Sequence, residues 1–454
     1  MKETKNLTQG NVLSTLLKFA IPVLLAMFLQ ALYGGVDLLI VGQFGTTQDV
    51  SGVSTGSMLL LTLQSLIVGL TMGVTVFVGQ KIGEGKPEDA GKTIGSGIVL
   101  FTILGLILSI ITIIFTQPLA KLLHAPEEAF IETCEYIKVC GAGLIFIVFY
   151  NLLGSIFRGI GDSKTPLITV SIACVVNIVG DLIFVAVFKL GASGAALATV
   201  LAQALSVIIS LIIIVKRGKK SKLPFAFHKN YIKLDGYYCR QQIKLGAPIA
   251  LQDFLVGISF LVIQSVVNSL GLIASAGVGV AEKVCGFIML IPSAISQSLS
   301  AFVAQNIGGG FEKRAKLSLK WGIAISLAIA CFIGTFSFIR GDILAGIFSK
   351  DSAVISSGHL YLKAYAIDTF LSFMFCFVGY FNGMGKTFFT MIQGLIGGIA
   401  IRIPMVFLMK NLPNTNLFLI GLSTPIATFS QIIMCVIYYL MLKKQKRCQG
   451  FNIT

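Results

Sequence analysis

Charged residues are scarce in this chain: they make up 12% of 454 residues, and 55% are hydrophobic. Soluble globular domains carry about 25% charged residues. The composition therefore excludes a soluble enzyme held by a single membrane anchor. Long apolar runs such as residues 98–115 also argue against a membrane β-barrel, whose strands alternate apolar and polar side chains. The expected fold class is an all-α membrane protein.

The chain also lacks recognisable chemistry of the enzymatic kind. It has nine cysteines and three histidines, but no Cys-x-x-Cys pair and no histidine at metal-ligand spacing. No Ser/His/Asp or Cys/His set and no nucleotide-binding loop is recognisable. We therefore expect no enzyme, no metal centre of the His/Cys type and no cofactor, and any energy for transport would come from an ion gradient.

Twelve apolar segments separated by polar breaks predict twelve transmembrane helices. They lie near residues 14–42, 54–79, 94–116, 132–157, 165–188, 194–215, 243–269, 279–304, 318–339, 355–381, 388–409 and 417–442. The first is too long for one straight span, and Pro22 with the following Gly34–Gly35 pair predicts where it bends.

The net charge of +16 reflects membrane topology and not nucleic-acid binding. With a cytoplasmic N-terminus, 26 of the 35 Lys and Arg residues fall on the cytoplasmic side, mostly in short loops. This bias predicts that both termini are cytoplasmic, as is the polar linker at residues 216–242. The predicted organisation is an N-terminal lobe (1–215, helices 1–6), this linker, and a C-terminal lobe (243–454, helices 7–12) with a basic tail.

Three motifs recur at a nearly constant offset of 224 to 226 residues. Phe-Ala-Ile-Pro at 19–22 returns as Leu-Gly-Ala-Pro at 245–248, and Gly-Gln-Lys-Ile-Gly-Glu-Gly at 79–85 returns as Ala-Gln-Asn-Ile-Gly-Gly-Gly at 304–310. Phe-Arg-Gly-Ile-Gly at 157–161 returns as Phe-Asn-Gly-Met-Gly at 381–385. Because each copy has six helices, the two lobes should have the same topology and be related by a pseudo-twofold along the membrane normal. Such parallel repeats suit alternating access, although a duplicated bundle without a transport role remains the alternative.

Ionisable residues within spans are costly and are the candidate functional residues. The N-terminal half offers Asp37 and Asp181. Asn177 precedes Asp181 by four residues, so the two share a helix face and supply oxygen atoms for a proton or a hard cation such as Na⁺. The alternative is that they only join helices. The C-terminal half offers a further set as a possible substrate site or second ion site: Asp253, Glu282, Asp368 and Arg402. Arg402 could pair with Asp368 or Asp253, contact substrate, or lie at the external surface.

The sequence resembles the multidrug and toxic compound extrusion (MATE) family over essentially its whole length. The resemblance rests on Pro22, on Val-Asp-Leu-Leu-Ile-Val-Gly at 36–42, on the 79–85 loop, on Phe-Arg-Gly-Ile-Gly-Asp-Ser-Lys-Thr-Pro at 157–166 and on Asn-Ile-Val-Gly-Asp at 177–181. It is closest to the DinF-like branch, which implies a cation site formed by Asp37, Asn177, Asp181 and Thr199, with Asn151 as a further candidate and Pro22 as the bend point of helix 1.

The resemblance implies an antiporter that couples entry of Na⁺ or H⁺ to export of cationic amphipathic compounds. Its setting would be a bacterial-type plasma membrane, and the protein would be a monomer surrounded by lipid, with no nucleic-acid partner. NorM-type members also use a Glu in helix 7 and an Asp in helix 10, whereas helix 7 of this chain carries Asp253 and no Glu. A flippase for lipid-linked saccharides, from the wider superfamily, is the alternative function.

Overall fold

The computed structural model describes residues 7–226 and 228–451, with side chains as far as residue 445. These residues form helices, turns and loops without a strand, which confirms the all-α fold class. Among the described residues, eleven helices are long and apolar enough to cross a membrane, and a bent pair of helices, counted as one span, gives the twelfth. Large apolar side chains such as Leu61, Ile110 and Phe332 are exposed along these helices, as expected of surfaces that face lipid.

The twelve spans are designated α1 to α12 in chain order. They are α1 (Val12–Phe44), α2 (Thr47–Gly83), α3 (Pro87–Ile114), α4 (Phe130–Gly159), α5 (Lys164–Asp181 and the π-helical Leu182–Val187), α6 (Gly191–Lys219), α7 (Gly236–Asn268), α8 (Leu272–Gly308), α9 (Glu312–Gly346), α10 (Ser352–Leu371 and Met374–Gly383), α11 (Thr387–Leu395, the π-helical Ile396–Arg402 and Ile403–Lys410) and α12 (Leu417–Gly421 and Ser423–Phe451).

The helix α1 is one continuous helix of 33 residues that begins after Asn11, whose side chain accepts a hydrogen bond from the backbone N–H of Ser14. At 1.5 Å per residue, it is about 50 Å long and exceeds the hydrocarbon core of a bilayer. Helical structure continues through Pro22, so the sequence correctly indicated an overlong first span, and the location of a bend stays a prediction.

By internal contacts the chain forms two compact units. Of the described residues, the first unit contains those up to Ala250 together with Ser300–Ala315 and Gly383–Gly385, and the second contains the others from Leu251 onward. In the first unit α4 packs against α2, α3 and α6. Its core includes Val74 of α2, Phe101 of α3 and Leu144 and Leu152 of α4. The core of the second unit includes Ile263, Val278, Tyr361 and Val406, from α7, α8, α10 and α11.

The internal repeat is visible in the backbone. Gly85 and Gly310, which end two copies of one motif, have φ angles of 69° and 77°. Gly161 and Gly385, which end the copies of another, have φ angles of 85° and 75°. These left-handed conformations favour glycine because a Cβ atom would be strained there. The matched turns support a true duplication of the sequence.

Candidate functional site

A hydrogen-bonded group of polar side chains joins α1, α5 and α6 within the first unit. Asp37 of α1 is 5% exposed, and its Oδ2 accepts a hydrogen bond of 3.2 Å from the hydroxyl of Thr199 on α6. The same hydroxyl accepts a 3.3 Å hydrogen bond from Nδ2 of Asn177 on α5. One threonine thus connects three helices, and a change at Asp37 would act on both of its neighbours.

Asp181 completes this group, which we call the acid cluster: Asp37, Asn177, Asp181 and Thr199. It lies one turn beyond Asn177 on the same face of α5, is fully buried, and places its carboxyl group beside that of Asp37. The π-helical segment Leu182–Val187 begins at the next residue. Because π-helical turns are rare and frequently occur at functional sites, the end of α5 is unusual in backbone as well as in charge.

The acid cluster has buried oxygen atoms without hydrogen-bond donors. They are Oδ1 of Asp37, Oδ1 of Asn177 and both carboxylate oxygens of Asp181. Two neighbouring carboxylates cannot both remain ionised and unpaired in a medium of low polarity. A proton, or a cation that prefers oxygen ligands, would relieve this arrangement. The described residues contain no group of three or more His, Cys, Asp or Glu side chains suited to a metal ion, so a cation here would also depend on the Asn and Thr oxygens.

Sequence reasoning missed three residues around the acid cluster. Tyr33 precedes Asp37 by one helical turn, and its hydroxyl accepts a 3.1 Å hydrogen bond from Nε2 of Gln203, which follows Thr199 by one turn. Tyr136 of α4 is buried and packs in one apolar cluster with Ile40 and Val41 of α1, next to Asp37 along that helix. The spacing of four residues on α1 and α6 is a sequence signal that would have found Tyr33 and Gln203. Tyr136 has no such signal, because it comes from another helix.

Two further N-terminal candidates, Asn151 and Pro22, have no side-chain hydrogen bond to the acid cluster among the described residues. Asn151 of α4 is 7% exposed, and its Nδ2 donates to the carbonyl oxygen of Ile147 at 2.8 Å, one turn back in its own helix. This hydrogen bond therefore stays within α4 and does not join Asn151 to another helix. Pro22 is buried on α1, at a distance along the helix of 15 residues from Asp37.

The C-terminal candidates fall into different environments. Asp253 of α7 is exposed, whereas Oε1 of Glu282 on α8 is buried without a hydrogen-bond partner. Asp368 of α10 and Arg402 of α11 are 6% and 5% exposed. Arg402 is therefore not a surface residue. It has no carboxylate within the 4.0 Å that defines an ion pair among the described residues.

The comparisons with known proteins agree with this architecture. The profile of the MatE family matches residues 22–183 and 248–408, one match in each half of the repeat. The chain belongs to the MatE family. As a member, it is a multi-pass membrane transport protein and not an enzyme, and it handles small molecules.

Several curated relatives of this MatE protein cover most of its length. The "Probable multidrug resistance protein YpnP" of Bacillus subtilis is 27% identical over 86% of this chain and 85% of its own. The "Multidrug export protein MepA" of Staphylococcus saprophyticus is 26% identical over 89% of this chain and 88% of its own. A solved structure, the "outward-facing conformation of a multidrug resistance MATE family transporter", matches with a TM-score of 0.90 at 20% identity, over 98% of this chain and 99% of the other. This structural match concerns the fold alone.

Proposed function

We propose that this MatE protein is an ion-coupled antiporter that exports cationic amphipathic compounds by alternating access, with Na⁺ or H⁺ as the coupling ion. Its setting is the plasma membrane, with both termini cytoplasmic. The substrate class is supported by family membership and by relatives described as multidrug export and resistance proteins. We also propose that the protein belongs to the DinF-like branch of the family, because it combines Asp37, Asn177, Asp181 and Thr199 at one place.

The observation that carries the coupling proposal is the set of unpartnered oxygen atoms in the acid cluster. Asp37 and Asp181 present three such carboxylate oxygens, and Asn177 adds a carbonyl oxygen. Binding of a proton or a Na⁺ ion supplies the missing positive charge. The hydrogen bonds of Thr199 then have to rearrange, because Thr199 links Asp37 to α5 and α6.

In the proposed cycle, the neutralised acid cluster changes the packing of α1, which bends near Pro22 and promotes release of the substrate. The energy is sufficient. Inward movement of one positive charge yields about 2.3 kcal/mol per 100 mV. Since about 1.4 kcal/mol changes an equilibrium constant tenfold, one ion can shift substrate affinity by more than an order of magnitude.

The test is ion-driven uptake of a lipophilic cationic dye into proteoliposomes, energised in turn by a Na⁺ gradient and by a pH gradient. Asp37→Asn and Asp181→Asn keep the side-chain shape but remove the ionisable charge, so each should reduce uptake by about tenfold or more. Asn177→Ala and Thr199→Ala remove neutral ligands and should weaken ion dependence less severely.

Matched controls separate coupling from folding. Asp342→Asn alters an exposed carboxylate whose ion pair with Arg340 contributes little, so ion-driven uptake should be unchanged. If acidic side chains of the second unit bind the substrate, Asp253→Asn and Asp368→Asn should change the affinity for substrate more than the dependence of uptake on the ion gradient. Normal ion-driven uptake by both Asp37→Asn and Asp181→Asn would refute the proposed site.

A further inference from the structure

Two glutamines at equivalent positions of the internal repeat make equivalent hydrogen bonds. Gln80 of α2 and Gln305 of α8 are 225 residues apart, which is the offset of the motif that contains them. Nε2 of Gln305 donates a 2.8 Å hydrogen bond to the carbonyl oxygen of Gly159, the last residue of α4. Nε2 of Gln80 donates a 3.3 Å hydrogen bond to the carbonyl oxygen of Gly383, the last residue of α10. Each glutamine thus binds the end of a helix from the other half of the sequence.

The two acceptors are suited to such an interaction. The last carbonyl groups of a helix have no donor within that helix, and a carboxamide from another helix can supply one. Gly159 and Gly383 are themselves equivalent in the repeat, and all four residues belong to the first unit. We call this pair of hydrogen bonds the glutamine lock.

The helices that carry the two glutamines approach each other through glycine. A Cβ atom on Gly83 would overlap the carbonyl oxygen of Gln305, and a Cβ atom on Gly308 would overlap that of Gln80. Gly83 and Gly308 are again equivalent in the repeat. Because a residue with a side chain would force the backbones apart, each copy of the motif supplies one glutamine of the lock and the glycine against which the other glutamine packs.

The segment that precedes α1 reinforces one arm of the lock. Oε1 of Gln305 accepts the backbone N–H of Leu7 at 3.1 Å, and Leu7 is 2% exposed. Nη2 of Arg314 on α9 donates to the carbonyl oxygen of Gln9 at 3.1 Å, which holds the same segment in place. Gln305 is fully buried, whereas Gln80 is partly exposed. The arm at Gln80 has the longer hydrogen bond and is open to water, so it is the weaker of the two.

We propose that the glutamine lock holds the ends of α2, α4, α8 and α10 together in the conformation described here, and that it opens in every transport cycle. The inference rests on the alternating access of the proposed function, in which the two repeats exchange one set of contacts for another. Neutral hydrogen bonds suit such a switch. Water can replace them once the contact opens, whereas separating a buried ion pair would be far more costly.

A reversible cross-link tests whether the lock has to open. A Cβ atom on Gly79 would lie 3.0 Å from the Cβ atom of Ala304, its equivalent in the repeat. Disulfides have Cβ separations of about 3.5–4.5 Å, so Gly79→Cys/Ala304→Cys should form one after a small shift. Oxidation should abolish uptake of a cationic dye into proteoliposomes, and a reducing agent should restore it, while neither single-cysteine variant responds. Equal uptake by the linked and the reduced protein would overturn the proposal.

A distance measurement tests the lock without transport and without the disulfide. Spin labels on Lys86→Cys and Phe311→Cys, two exposed and repeat-equivalent positions, report the separation of the turns that follow α2 and α8. In this background Cys134, Cys331 and Cys448 are replaced by serine, and the other described cysteines are buried. A population with a longer distance then measures how often the lock is open.

Gln80→Ala/Gln305→Ala should raise the ratio of the longer to the shorter distance by about tenfold, because two neutral hydrogen bonds are lost. The matched control is Gln393→Ala, which removes a buried glutamine of the second unit and should leave the ratio unchanged. An unchanged ratio in the double variant, or an equal change in the control, would overturn the proposal. A raised ratio together with no dye uptake by the wild type would support the lock and count against the proposed function.

Discussion

The turn between α4 and α5 is organised around the carboxylate of Asp162, and its removal provides a quantitative prediction. Oδ1 accepts backbone N–H groups of Lys164 and Thr165, both at 3.0 Å. Oδ2 accepts the hydroxyl of Thr165 at 2.5 Å and Nη1 of Arg217 on α6 at 2.6 Å. Nη2 of Arg217 donates to the Thr165 hydroxyl at 2.8 Å. This carboxylate therefore caps α5 and holds α6 beside it.

The expected loss for Asp162→Ala is about 3 kcal/mol. A hydrogen bond to a charged group contributes about 1.5–3 kcal/mol, and such contributions are not additive within one network. Breaking a buried ion pair costs about 3–5 kcal/mol. The side chains of Arg217 and Asp162 are 16% and 9% exposed, so water reaches the freed arginine and the lower end of that range applies. Arg217→Ala should cost less, about 1–2 kcal/mol, because Asp162 keeps three donors.

A thiol-reactive fluorophore measures the corresponding melting temperatures, since Cys140, Cys174, Cys239, Cys376 and other cysteines are buried and become reactive on unfolding. For a chain of this size, Asp162→Ala should lower the melting temperature by roughly 3–6 °C.

The control is Asp351→Ala, which removes an exposed carboxylate that caps α10 and has no ion pair with any described residue. It should cost only about 1 kcal/mol. A loss for Arg217→Ala that equals or exceeds that of Asp162→Ala would refute this assignment of roles.

Two further predictions concern packing and topology. A Cβ atom on Gly83 would lie 2.0 Å from the carbonyl oxygen of Gln305, so Gly83→Ala should lower the free energy of unfolding by about 2–3 kcal/mol. A Cβ atom on Gly35 would have no heavy atom within 4 Å, so Gly35→Ala should leave the melting temperature unchanged or raise it. The same fluorophore assay decides between these outcomes. Lys220→Cys, in the exposed linker, should add maleimide labelling to that of the wild type only after cells are permeabilised; the wild type is the reference because Cys331 is exposed and Cys134 partly exposed. Extra labelling of the variant in intact cells would contradict a cytoplasmic linker.

Hydropathy located the spans but not their ends or their irregularities. The predicted segment 54–79 lies inside a helix that extends over Thr47–Gly83, because the polar turns at its ends add no apolar signal. The predicted single span 355–381 consists of two helices at 44° to each other. Neither this bend nor the π-helical segments of α5 and α11 could be read from hydropathy, since a change of hydrogen-bonding register leaves the average polarity of a segment unaltered.

The acid cluster could be assembled from the sequence only in part. The spacing of Asn177 and Asp181 placed both on one face of α5, but it did not show that α1 or α6 lies opposite. Asp37 and Thr199 were added through the resemblance to the MATE family, and the structure brings both into hydrogen-bonding contact. The role of these residues in coupling stays a prediction. For Arg402, the sequence allowed an ion pair, a substrate contact or a position at the external surface. The residues that contact it, Ser259 and Phe260, are neutral, so the distribution of charges along the chain could not identify them.

The buried positive charge of Arg402 affects how variants of the acidic residues in the second unit should be interpreted. Asp368→Asn removes a buried negative charge from the unit whose interior also holds the buried guanidinium of Arg402. Because an unpaired buried charge is strongly destabilising, loss of transport in that variant would not by itself identify an ion-binding site. The double variant Arg402→Gln/Asp368→Asn resolves this point. If transport returns when both charges are absent, the defect of Asp368→Asn was caused by the unpaired charge of Arg402. The coupling ion then acts at the acid cluster of the first unit.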